Sequence, residues 1–192
     1  ALKNSRFYQN MFTFTLWEII QIIITILAVG VIFSGLIKRP QTYEDLLEGK
    51  NNILQDLKFA IAVAAPAVIF HELSHKFLAL YYGFSAIYSA SWWGLGIGLM
   101  LRFLAPGYIF FIPGYVSISG AGTALQYGLT ALAGPLTNLA LFGIFWLLLK
   151  KNIAPKYSII WHVAKQINLW LFIFNMLPIP GLDGFKFYSS FF

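Results

Sequence analysis

The chain has 192 residues, of which 59% are hydrophobic, 18% aromatic and only 10% charged, with a formal net charge of +6. Soluble domains carry about 25% charged residues, so too few charges remain to cover a globular surface, and the composition points to an integral membrane protein of one compact domain, 1–192. The basic residues form no run of five and no nucleic-acid motif, which excludes nucleic acid as a partner and leaves topology and anionic headgroups to explain the excess. The absence of cysteine removes disulfides and thiolate metal sites.

The start "ALKNSRFYQN" lacks the short apolar core and small-residue cleavage site of a signal peptide, because the hydrophobic run behind it is too long. About 20 apolar residues cross the hydrocarbon. The first such run is 13–37, with Glu18 and Gln21 near its start, where they can reach the interface. The connection 38–58 holds four acidic and four basic residues and reads as a solvated loop with a short amphipathic helix.

The second run, 59–82, contains "AVIFHELSHKFLAL", with His71, Glu72 and His75 inside five positions. A charged side chain at the centre of a membrane helix costs about 2.5–3.5 kcal/mol, so something must offset these residues. Positions four apart on a helix share a face and differ by about 6 Å in height, so His71 and His75 can grip one ion, with Glu72 on the adjoining surface. This is the H-E-x-x-H pattern, in which two imidazoles hold zinc and the glutamate takes a proton from water bound there. The competing reading is a chance match. The membrane setting disfavours it, since no other charge lies between Lys58 and Lys76 to partner Glu72. Pro66, five residues before His71, should bend this helix.

Segment 83–123 carries a single charge, Arg102, and glycines at 94, 96, 98, 107, 114, 120 and 122, which argue against a regular helix. "YVSIS" alternates apolar and polar residues with the period of a strand. Non-helical backbone at membrane depth needs protein or a water-filled cavity around it, so strands or a re-entrant hairpin against the helices are expected. The third run is 124–149. The fourth, 157–177, is interrupted by Lys165 and Gln166. The expected fold is therefore an all-α polytopic membrane protein of about four transmembrane helices, with a short membrane-associated β-hairpin within 83–123.

A catalytic zinc usually takes three protein ligands, and the histidine pair supplies two. Candidates for the third are Asp183, His162 and carboxylates near the loops. In "NMLPIPGLDG" (175–184) Pro178 and Pro180 break the helix while Gly181 and Gly184 free the backbone, and such a break must line a cavity or pack in protein. Asp183 thus has a reason to face inward; the competing reading is a cap on the next helix. His162 reads as an interfacial or packing histidine.

"HELSH" on one apolar helix, "AGPLTN" (133–138) on a later one and "NMLPIPGLDG" after that, in this order, resemble the site-2 protease family of intramembrane zinc metalloproteases. The likeness covers about 59–192, which makes that span the catalytic core and 13–37 an accessory first helix. The resemblance implies that His71, His75 and Asp183 bind Zn2+ and that Glu72 is the general base. It also implies that Asn138 orients the substrate backbone or the oxyanion, and that Asn175 fills the first position of the proline-rich motif. The strand of Tyr115, Val116, Ser117 and Ile118 would pair with an unwound substrate. Competing readings are helix-to-helix bonding for Asn138 and plain packing for the strand. Segment 83–123 is too short to hold the PDZ domain of many members, no nucleotide-sensing module is present, and the sequence ends at Phe192 where relatives often continue into further helices.

The function so implied is a zinc endopeptidase cutting transmembrane protein substrates within the lipid bilayer. The rival is a membrane cation or zinc transporter, which needs no general base beside its ligands. Orientation has two answers. Basic residues divide into Lys3, Arg6 and Arg102 on one side and Lys38, Arg39, Lys50, Lys58, Lys150, Lys151, Lys156 and Lys165 on the other, which by the positive-inside rule puts 38–58 in the cytoplasm. The family places the end of the HExxH helix toward the cytoplasm. The family is followed here, giving a multi-pass protein of the cell (plasma) membrane with its active site toward the cytoplasmic side.

Overall fold

A computed structural model of the chain describes residues 14–40, 52–105 and 112–192. Lys3 and Arg6, most of the 38–58 connection and part of 83–123 lie outside those residues. Helix α1 (Leu16–Ser34) starts in a capping box, Thr15 hydroxyl to the Glu18 amide and Glu18 carboxylate back to the Thr15 amide, which meets two of the amides a helix start leaves unpaired. Helix α2 (Ile53–Tyr81) is capped by Asn52 and runs through Pro66 without interruption. It begins six residues earlier than the apolar run at 59, inside the connection expected to be solvated.

Strand β1 (Ser85–Ala90), helix α3 (Trp92–Leu104) and strand β2 (Gly114–Ser119) follow, and the strands pair antiparallel with Tyr88 opposite Val116. The strand expected at "YVSIS" is present, whereas the helix between the strands was not expected. Its glycines lower helix propensity by about 1 kcal/mol each. Against that, an apolar surrounding offers the backbone no other hydrogen-bond partners, and Ser91 caps the first turn through the Gly94 amide. Gly94 also lets the returning chain approach, since a Cβ there would strike the Ile112 carbonyl.

Helix α4 (Ala124–Lys150) opens with a second capping box, Thr123 with Gln126. Helix α5 (Ser158–Asn175) follows a 3₁₀ turn at Pro155–Tyr157, and helix α6 (Asp183–Ser189) follows the proline break. Among the described residues three helices, α1, α2 and α4, are long and apolar enough to cross a membrane. The fourth expected span folds as α5, but His162, Lys165, Gln166 and Asn168 keep it below that standard.

The core lies where α1, α2 and α5 meet β1 and α3: Val29, Ile32 and Phe33 pack on Ala60, Val63, Ala64 and Val68, with Ala90, Leu95, Ala164 and Ile167 closing the sides. Alanines on α2 let its neighbours come close, which suits packing in a medium where apolar burial itself gives no drive. A smaller cluster, Ala79, Phe84 and Ala86 with Val116 and Ile118, seats the sheet on the last turns of α2. The Arg102 guanidinium hydrogen-bonds the Val31 carbonyl at 3.2 Å and lies against Gly35. It therefore sits at the C-terminal end of α1, with Lys38 and Arg39, and not on the side to which the sequence count assigned it.

Candidate metal centre

Helix α2 presents His71 and His75 from successive turns, both 6% exposed. Asp183 reaches them because α6 starts directly against the end of α5: a Cβ on Gly184 would lie 2.6 Å from the Met176 carbonyl oxygen. Asp183 makes no helix cap, and Leu182 occupies that position. The carboxylate points inward instead, with Oδ2 3.0 Å from His71 Nε2 and 3.1 Å from His75 Nε2, and the two Nε2 atoms are themselves 3.1 Å apart. Among the described residues this is the one group of three able to hold a metal ion.

Main-chain partners settle the imidazole tautomers. His75 Nδ1 lies 2.7 Å from the Thr130 carbonyl, which can only accept, so Nδ1 carries the proton. His71 Nδ1 lies 2.6 Å from Asn138 Oδ1, and the Asn138 amide is held that way round because its nitrogen faces the Ala67 carbonyl at 3.0 Å. Neutral rings with Nδ1 protonated leave both Nε2 atoms bare, so two lone pairs and a carboxylate oxygen converge. Such a trio repels itself unless positive charge sits among it. Ligand atoms about 2.0–2.1 Å from a tetrahedral ion lie about 3.3 Å from one another, close to the observed separations. The donor set, two imidazole nitrogens and one carboxylate oxygen, is among those zinc takes in open sites.

Gly134, in "AGPLTN", makes room for the rings. A Cβ there would lie 2.6 Å from His71 Nε2 and closer still to His75 Nε2. Glu72 is buried, yet no described residue hydrogen-bonds or ion-pairs its carboxylate. Among the described residues every sealed side-chain oxygen or nitrogen has a partner, so the Glu72 oxygens open onto accessible space. Lys186, one turn into α6 and largely exposed, lies 3.4 Å from Asp183 Oδ1.

Of the other residues singled out from the sequence, Asn138 is in the cluster, with both amide protons donated, to Ala67 O and to Asn168 Oδ1. Asn175 turns its amide back onto the Leu171 carbonyl in its own helix. His162 is exposed and outside the cluster. On β2, Tyr115 and Ser117 face outward while Val116 and Ile118 pack inward.

Two features escaped the sequence reading. Glu18 and Gln21 do not reach the interface; they are 1% and 4% exposed. Glu18 Oε1 forms an ion pair with Lys76 and accepts the Tyr88 amide, while Gln21 accepts the Ala90 amide and Thr25 accepts the Tyr88 hydroxyl. The visible signal was the spacing 18, 21, 25, one face of a helix. The second is Asn168, buried in α5, which shares its run with Gln166 and Asn175 and carries no mark that sets it apart from them.

No protein-family model matches the chain, and no solved structure does. A protein of Methanocaldococcus jannaschii named "Putative zinc metalloprotease MJ0611" is 36% identical over 186 residues, covering 92% of this chain and 86% of the relative. The chain belongs to this zinc metalloprotease family. Two further relatives bear the same description: Rip2 of Mycolicibacterium smegmatis, 29% identical over 60% of this chain and 50% of its own length, and YwhC of Bacillus subtilis, 37% identical over 30% and 31%. Family membership and the converging donor set agree on a zinc centre for this metalloprotease.

Proposed function

We propose that the protein is a site-2-type intramembrane metalloprotease: a multi-pass membrane enzyme in which His71, His75 and Asp183 hold Zn2+ and Glu72 is the general base, acting on transmembrane segments of other membrane proteins. The observation that carries this reading is the meeting of three bare acceptor atoms within 3.1 Å, next to the Glu72 carboxylate, which no described residue hydrogen-bonds or ion-pairs. When bound, zinc polarises a carbonyl and lowers the pKa of water.

The chain's own residues supply the remainder. Glu72 takes a proton from the attacking water and returns it to the leaving amine, for which its oxygens are unspent. A peptide bond within a membrane helix is shielded by its own hydrogen bonds, so the substrate must enter extended. Glu18 and Gln21 occupy the outward amides of β1, and β2 pairs with β1 alone among the described residues. The free edge, residues 114–119, is where an unwound segment can add as a third strand, beside Tyr115, Val116, Ser117 and Ile118. Asn175 borders the proline break that delivers Asp183.

The test is cleavage of transmembrane peptides by the purified full chain, with and without a chelator. Glu72→Gln should keep zinc and lower cleavage by about 10²–10⁴-fold. A transporter would keep transport in that variant, or lose it together with the metal. Cutting that persists in chelator rules the reading out. For placement, the centre is taken to face the cytoplasm of the plasma membrane, as the family resemblance implies. Arg102 joins the opposite, basic end, which argues the other way under the positive-inside rule. Because the chain has no cysteine, single cysteines at Ser119 and Lys151, labelled in intact cells with an impermeant maleimide, decide between them: labelling at Lys151 alone is the expected result.

A further inference from the structure

An unbroken chain of buried polar contacts runs from α5 through α4 to the metal-facing ring on α2. Asn168 Nδ2 donates to the Ala164 carbonyl at 2.8 Å, Asn168 Oδ1 accepts from Asn138 Nδ2 at 2.9 Å, and Asn138 Oδ1 meets His71 Nδ1 at 2.6 Å. Asn138 is 0% exposed and Asn168 1%. Each amide is locked one way round by a carbonyl, Ala164 O for Asn168 and Ala67 O for Asn138, since a carbonyl cannot donate. That sequence of constraints ends on a proton at His71 Nδ1 and a bare Nε2.

We propose that Asn168 is a positioning residue of the metal centre: through Asn138 it fixes the ring orientation and tautomer of His71. The inference rests on the reading of His71, His75 and Asp183 as zinc ligands. It also gives Asn138 another task than the substrate contact the family resemblance implies. Stabilising an oxyanion requires an N–H donor, and both of Asn138's are already given to Ala67 and Asn168. The other use of a buried asparagine between membrane helices is adhesion. Adhesion is indifferent to what His71 does, and that difference makes the two separable.

The measurement is zinc affinity of the purified full chain, by competition with a chromophoric chelator, alongside its melting temperature. Hydrogen-bond partners behind a metal-binding histidine are worth about 10–100-fold in affinity. Asn168→Leu, close to asparagine in size, should weaken zinc by that factor. Asn138→Leu should do at least the same, and the double variant should be no weaker than Asn138→Leu alone, because the two residues act in series. Should Asn168→Leu not fold, Asn168→Ser replaces it: its hydroxyl can still bond the Ala164 carbonyl but does not reach Asn138, so zinc should weaken equally. A variant that melts lower while binding zinc as tightly as the unmodified protein makes Asn168 an adhesive residue only and overturns the proposal. Failure of the unmodified chain to bind zinc is a different result, which removes the metal-centre reading and this inference with it.

Discussion

Gly134 has no side chain, and the space where one would begin is filled by the two imidazoles. Helix propensity favours alanine over glycine by about 1 kcal/mol, so Gly134→Ala should strengthen α4 locally while driving His71 and His75 off their positions. The expected outcome is zinc affinity lower by about 10–100-fold, the scale by which disturbed metal surroundings act, read by chelator competition. Gly143, on the same helix with nothing within 4 Å of its virtual Cβ, is the control, and Gly143→Ala should leave zinc binding unchanged. The pairing of His71 with His75 could be read from the chain because residues four apart share a helix face, whereas Asp183 was reached through the proline break and the motif resemblance, not through spacing. The service of Gly134 could not, since a glycine announces only that a side chain is missing, and what occupies its place depends on the helix opposite. Asn168 was hidden for a related reason: its own helix also holds Gln166 and Asn175, nothing in their spacing singles Asn168 out, and its meaning arises from Asn138 on another helix.

Elements repeat this division. Apolar runs gave α1 and α4 nearly to their ends, and α2 without its first six residues, because a run long enough to cross hydrocarbon is a one-dimensional signal. Helix α3 went unread, since glycine propensity is a weak prior that the demand for backbone hydrogen bonds overrides. The polar face of α1 takes the place of a neighbouring strand: Glu18 and Gln21 accept the outward amides of Tyr88 and Ala90, and Glu18 binds Lys76, the residue after His75. Helix α1 thereby ties the sheet to the catalytic helix. Removing one member of a buried ion pair costs about 3–5 kcal/mol, whereas replacing both with apolar groups is often neutral. Glu18→Ala should therefore destabilise the protein by about that amount. Glu18→Leu combined with Lys76→Met should recover most of the stability but still free the Tyr88 amide. Hydrogen exchange separates the roles: Tyr88 should exchange faster in both variants, and Gln21→Leu should speed Ala90 with far less effect on Tyr88. If Tyr88 stays as protected in Glu18→Ala as in the unmodified chain, α1 does not close the strand.

At the scale of the whole molecule, the metal centre is a clasp. Its ligands come from α2 and from α6, 112 and 108 residues apart for the two histidine contacts, and α6 is otherwise held by its packing on α4, where Ser190 lies against Gly128, and at Met176, which meets Gly184 and accepts the Tyr188 hydroxyl. An ion bound by the folded state and not by the unfolded one adds stability by mass action, about 2.7 kcal/mol at a free concentration 100 times its dissociation constant. For a chain of this size a kilocalorie per mole moves the melting temperature by about 2–4 °C, so stripping zinc should lower it by about 5–10 °C, and restoring zinc should reverse the shift. Asp183→Asn keeps the size of the side chain but gives up its charge, so this variant should melt close to the stripped protein whether or not zinc is supplied. Limited proteolysis locates the effect: the stripped chain should be nicked first within 177–182, the break before α6, while α1 and α2 stay intact. A melting temperature indifferent to chelator in the unmodified chain, at saturating zinc beforehand, would show that the ion does not bridge the two helices.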